Sequence, residues 1–139
     1  MQPGDIAIVQ QSFCKVMPVA DQAAALFYAR LFEIDPALRR LFSGDMEEQG
    51  RKLMAALSDA VSALAQFDTI EPTLRGLGAR HAGYGVRDEH YASVGAALLW
   101  ALDRALGPAF TPAVKSAWTA TYSAIANAMI SGARAAKAA

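Results

Sequence analysis

The chain has 139 residues, the size of one ordinary domain, and 54% of them are hydrophobic, so it can bury a sizeable core. Its formal net charge is zero, which argues against nucleic-acid and anionic-membrane partners, because both require a basic surface. Cys14 is the only cysteine, which excludes an internal disulfide and a thiolate metal cluster. No secretion leader is evident and the longest apolar run, residues 91–102, is too short to span a bilayer, so we expect a cytoplasmic protein.

The first two predicted helices are stripes of apolar residues spaced three and four apart. The first stripe ends at Pro18 and the second closes at Pro36, because proline interrupts a helix. The first stripe is Ile6, Val9, Phe13 and Val16, and the second is Ala24, Phe27, Tyr28, Leu31 and Phe32.

The middle of the chain predicts a short helical turn in "PALRRLF", then a helix that opens at Asp45. The inward face of that helix is Leu53, Met54, Leu57, Val61 and Leu64. Residues 65–71, "AQFDTIE", are predicted to be a linker, and Pro72 suits the first turn of the next helix.

Two long helices are predicted in the last third of the chain. Asp88 is a candidate cap for the first, a Gly/Pro break follows in "LGPAFTP", and Thr111 and Pro112 begin the second. The whole chain therefore predicts an all-α domain of about seven helices over residues 5–133, with residues 134–139 expected to fray.

The stretch "LGARHAGYGV" places a histidine at the end of an apolar stripe. Leu74, Leu77 and His81 share one helix face, and Gly83 and Gly85 follow as a stop signal. A polar ring buried there without a partner would cost about 1–3 kcal/mol. His81 therefore needs a partner.

The chemistry available to such a site is narrow. With only two histidines the chain offers no cluster for zinc, and a pair of Cys14 with a histidine is less plausible than an inert cysteine. One inward imidazole in an all-helical domain instead suits iron that is already held by a porphyrin.

Several segments together resemble the globin family over roughly residues 5 to 130. The segments "FYARLFEIDPALRRLF", "EQGRKLM", "LGARHAGYGV" and "HYASVGAALL" resemble bacterial single-domain haemoglobins and flavohaemoglobins. The segment "LGPAFTPAVKSAWTATYSAIANAMI" also resembles vertebrate neuroglobin. This resemblance implies a globin fold around haem b.

The resemblance also implies a role for individual residues. His81 matches the proximal iron ligand, 32 residues after the distal position, whereas His90 lies too close to His81 to be the opposite ligand. The implied distal residues are Tyr28, Gln49 and Leu53. Phe42 packs on the haem, and Lys52 and Arg80 are candidates to pair with the propionates. The implied pocket lining is Val86, Tyr91, Val94, Trp118 and Tyr122.

The distal pair implies tight oxygen binding at an open sixth position, because a phenol and an amide both donate hydrogen bonds without titrating near neutral pH. CO and NO are the other expected ligands, and the protein is expected to be a monomer or a homodimer. Three functions stay open: oxygen binding, nitric oxide dioxygenase activity with a separate reductase, and redox or gas sensing.

One residue departs from the family pattern. Ala133 occupies the position where flavohaemoglobin-like globins carry a glutamate that supports the proximal histidine. Without that carboxylate, we predict that His81 donates to the carbonyl of Leu77. This substitution weakens the case for peroxidase-like activity.

Overall fold

The computed structural model describes residues 1–138, and within that range the chain is built from helices, turns and loops. The α-helices are α1 (Pro3–Val16), α2 (Ala20–Ile34), α3 (Met46–Ser62), α4 (Phe67–Gly83), α5 (His90–Leu106) and α6 (Pro112–Ala138). Short 3-10 helices cover Met17–Val19, Pro36–Leu41, Leu64–Gln66 and Gly107–Ala109. The prediction of an all-α fold with about seven helices is confirmed.

The predicted helix ends in the first third lie where proline requires them. Helix α1 ends at Val16, before Pro18, and α2 ends at Ile34, before Pro36. Proline fixes φ and lacks an N–H, so it cannot continue either helix. Asp45 caps α3, since its carboxylate accepts a hydrogen bond from the Glu47 amide at 3.0 Å.

The predicted linker at residues 65–71 is wrong. Helix α4 begins at Phe67 and carries Pro72 inside it, not in its first turn. An interior proline costs about 3 kcal/mol. Phe67 and Ile70 are both half-buried against apolar clusters, and this tertiary packing outweighs the local cost.

Asp88 does not cap α5 as predicted. Glu89 stands at the cap position, and the Asp88 carboxylate instead accepts hydrogen bonds from Arg134 at 3.0 and 3.1 Å. Helix α6 continues to Ala138, through most of the segment 134–139 that was expected to fray. The end of this segment is rich in alanine, which has the highest helix propensity; residue 139 lies outside the described residues.

Two apolar clusters hold the helices together. The larger lies among α1, α2, α3, α5 and the first half of α6, and the smaller joins α4 to the second half of α6 around Leu74 and Met129. Helices α4 and α6 cross with their backbones in contact. A Cβ at Gly78 would collide with the Met129 carbonyl, and one at Gly132 with the Arg75 carbonyl. This crossing positions the last turn of α4, which carries His81.

None of the helices in residues 1–138 is both long enough and apolar enough to cross a membrane.

Candidate functional site

His81 lies in the last turn of α4 and is half-buried. Its Nδ1 atom lies 2.8 Å from the carbonyl oxygen of Leu77, the contact that the sequence predicts. A carbonyl oxygen can only accept a hydrogen bond, so Nδ1 must carry the proton. In the neutral imidazole the other ring nitrogen, Nε2, then has its lone pair free, which is the form required of a metal ligand.

The loop after α4 is hydrogen-bonded to the last turn of that helix. The amides of Tyr84 and Val86 each donate to the His81 carbonyl at 3.0 Å, and Gly85 adopts φ 100° between them. Val86 is thereby held beside His81 and is half-buried. His90 accepts a hydrogen bond from the Arg87 amide at 3.0 Å. Its ring therefore binds the backbone just before α5, which begins at His90.

Two of the three predicted distal residues are joined by a hydrogen bond. The Tyr28 hydroxyl on α2 donates to the backbone carbonyl of Gln49 in the first turn of α3, at 3.5 Å. Burial raises the pKa of Tyr28 to about 12, so this phenol remains a hydrogen-bond donor at neutral pH. Leu53, one turn further along α3, lines a small apolar space together with Phe27 and Leu98.

An aromatic cluster surrounds Tyr28. Phe42 packs edge-on against Tyr28, with ring centroids 5.3 Å apart, and against Phe32 at 5.7 Å. Phe32 was predicted only as part of the core stripe, but it lies four residues after Tyr28 and therefore on the same helix face. The cluster fixes the Tyr28 ring while its hydroxyl reaches α3.

Tyr122 and Tyr91 connect α6 to α5. The Tyr122 hydroxyl donates to the Tyr91 carbonyl at 2.6 Å, and the Tyr122 ring fills the space where a Cβ at Gly95 would lie. The hydroxyl of Tyr91 is itself buried and has no hydrogen-bond partner within the described residues. Burial, and then the nearby Asp88 carboxylate, raise the pKa of Tyr91. A buried phenol without an acceptor indicates a polar group that the chain alone does not satisfy.

Trp118 belongs to the larger apolar cluster. It is fully buried, its indole N–H donates to the Ser12 hydroxyl at 2.8 Å, and its ring packs on Phe13. Trp118 therefore joins α6 to α1, and its predicted pocket-lining role stays a prediction. The first half of α6 packs into the larger cluster, and its second half packs against α4. Val94 is half-buried against the larger cluster.

The two basic residues predicted for the propionates are both exposed. Lys52 lies 3.9 Å from Glu48, one turn earlier in α3, while Arg80 immediately precedes His81. Ala133 is buried, with 5% of its surface exposed, so no carboxylate occupies its position beside the α4–α6 crossing.

The donor set suits one kind of metal group. Within residues 1–138 no three His, Cys, Asp or Glu side chains gather as a metal site. A single imidazole with its Nδ1 proton already bound, together with buried phenols, fits iron whose other four ligands come from a porphyrin. The residues present therefore fit haem, and the fold and site define an all-helical class of haem protein.

Comparison with known proteins supports this class. Residues 25–129 match the sequence profile of the family described as Globin. The chain belongs to the globin family. It is 38% identical over 121 residues to neuroglobin of Danio rerio, covering 77% of this chain and 76% of that protein. It is 30% identical over 128 residues to the flavohemoprotein of Bacillus subtilis (strain 168), covering 90% of this chain but only 32% of that protein.

Solved structures show the same fold. A bacterial globin from Campylobacter jejuni superposes with a TM-score of 0.85 at 24% identity, covering 99% of this chain and 100% of that one. An engineered carbene transferase from Rhodothermus marinus, provisionally named a nitric oxide dioxygenase, superposes with a TM-score of 0.88 at 25% identity, covering 99% and 96%.

Proposed function

We propose that this chain binds haem b and, through it, oxygen reversibly, with CO and NO as further ligands. The observation that carries the proposal is the 2.8 Å contact of His81 Nδ1 with the Leu77 carbonyl. It fixes the tautomer in which Nε2 is available to the iron. Haem iron would supply the gas-binding position, and the side chains of this chain would hold the haem and surround the bound gas.

Tyr28 and Gln49 supply the distal hydrogen bonds in this proposal. A gas ligand that gains partial negative charge is stabilised by a fixed donor in an apolar surrounding. The Tyr28 hydroxyl now makes only a long bond, 3.5 Å, to the Gln49 carbonyl, so little is lost when it turns to a ligand. An amide side chain does not readily ligate iron, so we propose that Gln49 leaves the sixth position open.

The remaining residues shape the pocket in this proposal. Phe42 packs against one haem face, Leu53 limits the size of the distal ligand, and Val86 and Val94 add apolar walls. Tyr91 and Tyr122 hold α5 and α6 together behind the proximal side through their 2.6 Å hydrogen bond. Lys52 and Arg80 pair with propionates at the surface, where each pair contributes about 0–1 kcal/mol.

Nitric oxide dioxygenase activity is the second candidate, favoured by the similarity to the B. subtilis flavohemoprotein. The net reaction joins NO, O2 and one electron into nitrate, so a reductase must supply the electron. This chain spans about a third of that flavohemoprotein. Under this candidate function, we propose a separate reductase as the electron donor. A redox or gas-sensing role, related to the neuroglobin similarity, is the third.

Visible absorption spectroscopy of the purified protein tests the proposal. We expect a five-coordinate ferrous spectrum that converts to stable oxygen and CO complexes. A six-coordinate ferrous spectrum would favour the redox or sensing role, and failure to bind haem would overturn the proposal. Sustained NO consumption with an added reductase, with nitrate as product, would then separate the dioxygenase from a carrier.

A further inference from the structure

Two spaces in the molecule meet at one side chain, Met54 of α3. The first is a solvent-open groove of about 370 Å³ between the 17–21 corner and the outer face of α3, where Met17, Asp21 and Arg51 also line it. The second is the narrow apolar space of about 10 Å³ beneath α3 that Leu53 and Phe27 line. Met54 lines both spaces and is 8% exposed.

The packing of α2 against α3 determines where an opening can lie. A Cβ placed on Gly50 would lie 3.0 Å from the Cβ of Ala24, so the two helices are in close contact at that level. Met54 lies one turn further along α3, at the floor of the groove. A small molecule that moves from the groove to the inner space therefore meets Met54, which lines both.

The chemistry of the route matches an uncharged gas. The inner space is lined by apolar side chains, including Phe13, Leu98 and Leu102, and by Leu53, one of the proposed distal residues. Its volume is near the lower limit for one molecule the size of water. Methionine is unbranched and has three rotatable bonds, so its side chain can swing aside without moving the backbone.

We infer that Met54 is the gate through which diatomic gases pass from the groove into the distal side. This inference rests on the proposed haem function. A gate changes the free-energy barrier between gas in solvent and gas bound on the distal side, but it does not change the free energy of either state. It therefore alters the association and dissociation rates by the same factor. The equilibrium constant for the gas does not change.

Flash photolysis of the CO complex tests this inference, after the equilibrium CO spectrum has shown that haem and gas bind. We expect Met54→Trp to slow bimolecular CO binding and CO release at least fivefold each. Met54→Ala should speed both, and the volume-conserving Met54→Leu should stay within twofold of the wild type. Gln49→Trp, which narrows the alternative route past the first turn of α3, should slow binding less than Met54→Trp.

Two outcomes would overturn the inference while leaving the haem proposal intact. One is unchanged rates in Met54→Trp together with strong slowing in Gln49→Trp. The other is a change in CO affinity in the Met54 variants, which would indicate a structural role.

A second measurement, on Met54→Ala with bound CO, does not depend on rates. Xenon should enter the enlarged space, and the ¹²⁹Xe resonance should shift relative to that measured with Met54→Leu. If the wild type binds no CO at all, the proposed function itself fails.

Discussion

The Nδ1 atom of His81 lies 2.8 Å from the carbonyl oxygen of Leu77, one helical turn earlier in α4. This bond is internal to one helix, so it orients the imidazole without help from another element. The glycine-dependent crossing of α4 with α6 then fixes where that helix end lies. A neutral backbone carbonyl polarises an imidazole less than a carboxylate does, so His81 is expected to be a moderate electron donor.

Replacing His81 should remove haem. In His81→Gly we expect most of the cofactor to be lost on purification, because no other imidazole is placed to bind the iron, and free imidazole should restore binding. Haem content by absorbance measures this, with circular dichroism to show that the helices remain. His90→Ala is the matched control, because the His90 ring binds the Arg87 amide at the start of α5. This variant should keep its haem. Full haem retention in His81→Gly would contradict the assignment.

Removing the Tyr28 hydroxyl should speed oxygen release. A hydrogen bond to a charged group contributes about 1.5–3 kcal/mol, so Tyr28→Phe should release oxygen about 10- to 100-fold faster. Stopped-flow displacement of oxygen by CO measures the rate. Tyr122→Phe is the control: it loses the 2.6 Å bond to Tyr91 and should lower the unfolding free energy by about 1–3 kcal/mol without a comparable change in oxygen release.

Alkaline pH should destabilise the fold through Tyr28. Burial raises its pKa from 10.0 to about 12, so the folded protein holds this proton more tightly than the unfolded chain. The contribution is fully present below pH 10 and is lost as pH rises from about 10 through 12, up to about 2–3 kcal/mol. Urea unfolding of the haem-loaded protein at pH 8 to 12 measures it. Tyr28→Phe should show a shallower decline over this window, and equal slopes would count against the assignment.

A side chain at the α4–α6 crossing should force the two helices apart. Gly132→Ala would place a Cβ against the Arg75 carbonyl. The clash is with backbone atoms, which cannot move aside as the end of a flexible side chain can. We expect a loss of about 3 kcal/mol or more in the free energy of unfolding and faster haem release, because the end of α4 moves. Gly83→Ala is the control in α4, where a Cβ meets no atom within 4 Å; it should change stability by less than about 1 kcal/mol.

The sequence alone determined the features that depend on local spacing. The 3.6-residue period identified the helices, the prolines at positions 18 and 36 identified two of their ends, and the stripe that ends at His81 placed its ring one turn from Leu77. These are interactions within a single helix or turn, and neighbours in the chain decide them.

Tertiary structure alone decided the features that depend on which helix lies opposite. Helix α4 begins at Phe67, in spite of Pro72, because Phe67 packs against two apolar clusters. Trp118 contacts α1, and Tyr122, one turn later in α6, contacts α5. The backbone contact at Gly78 and Gly132, and the shared wall at Met54, join residues from separate helices. No periodicity in one helix specifies them, because packing between helices depends on the shape of both surfaces.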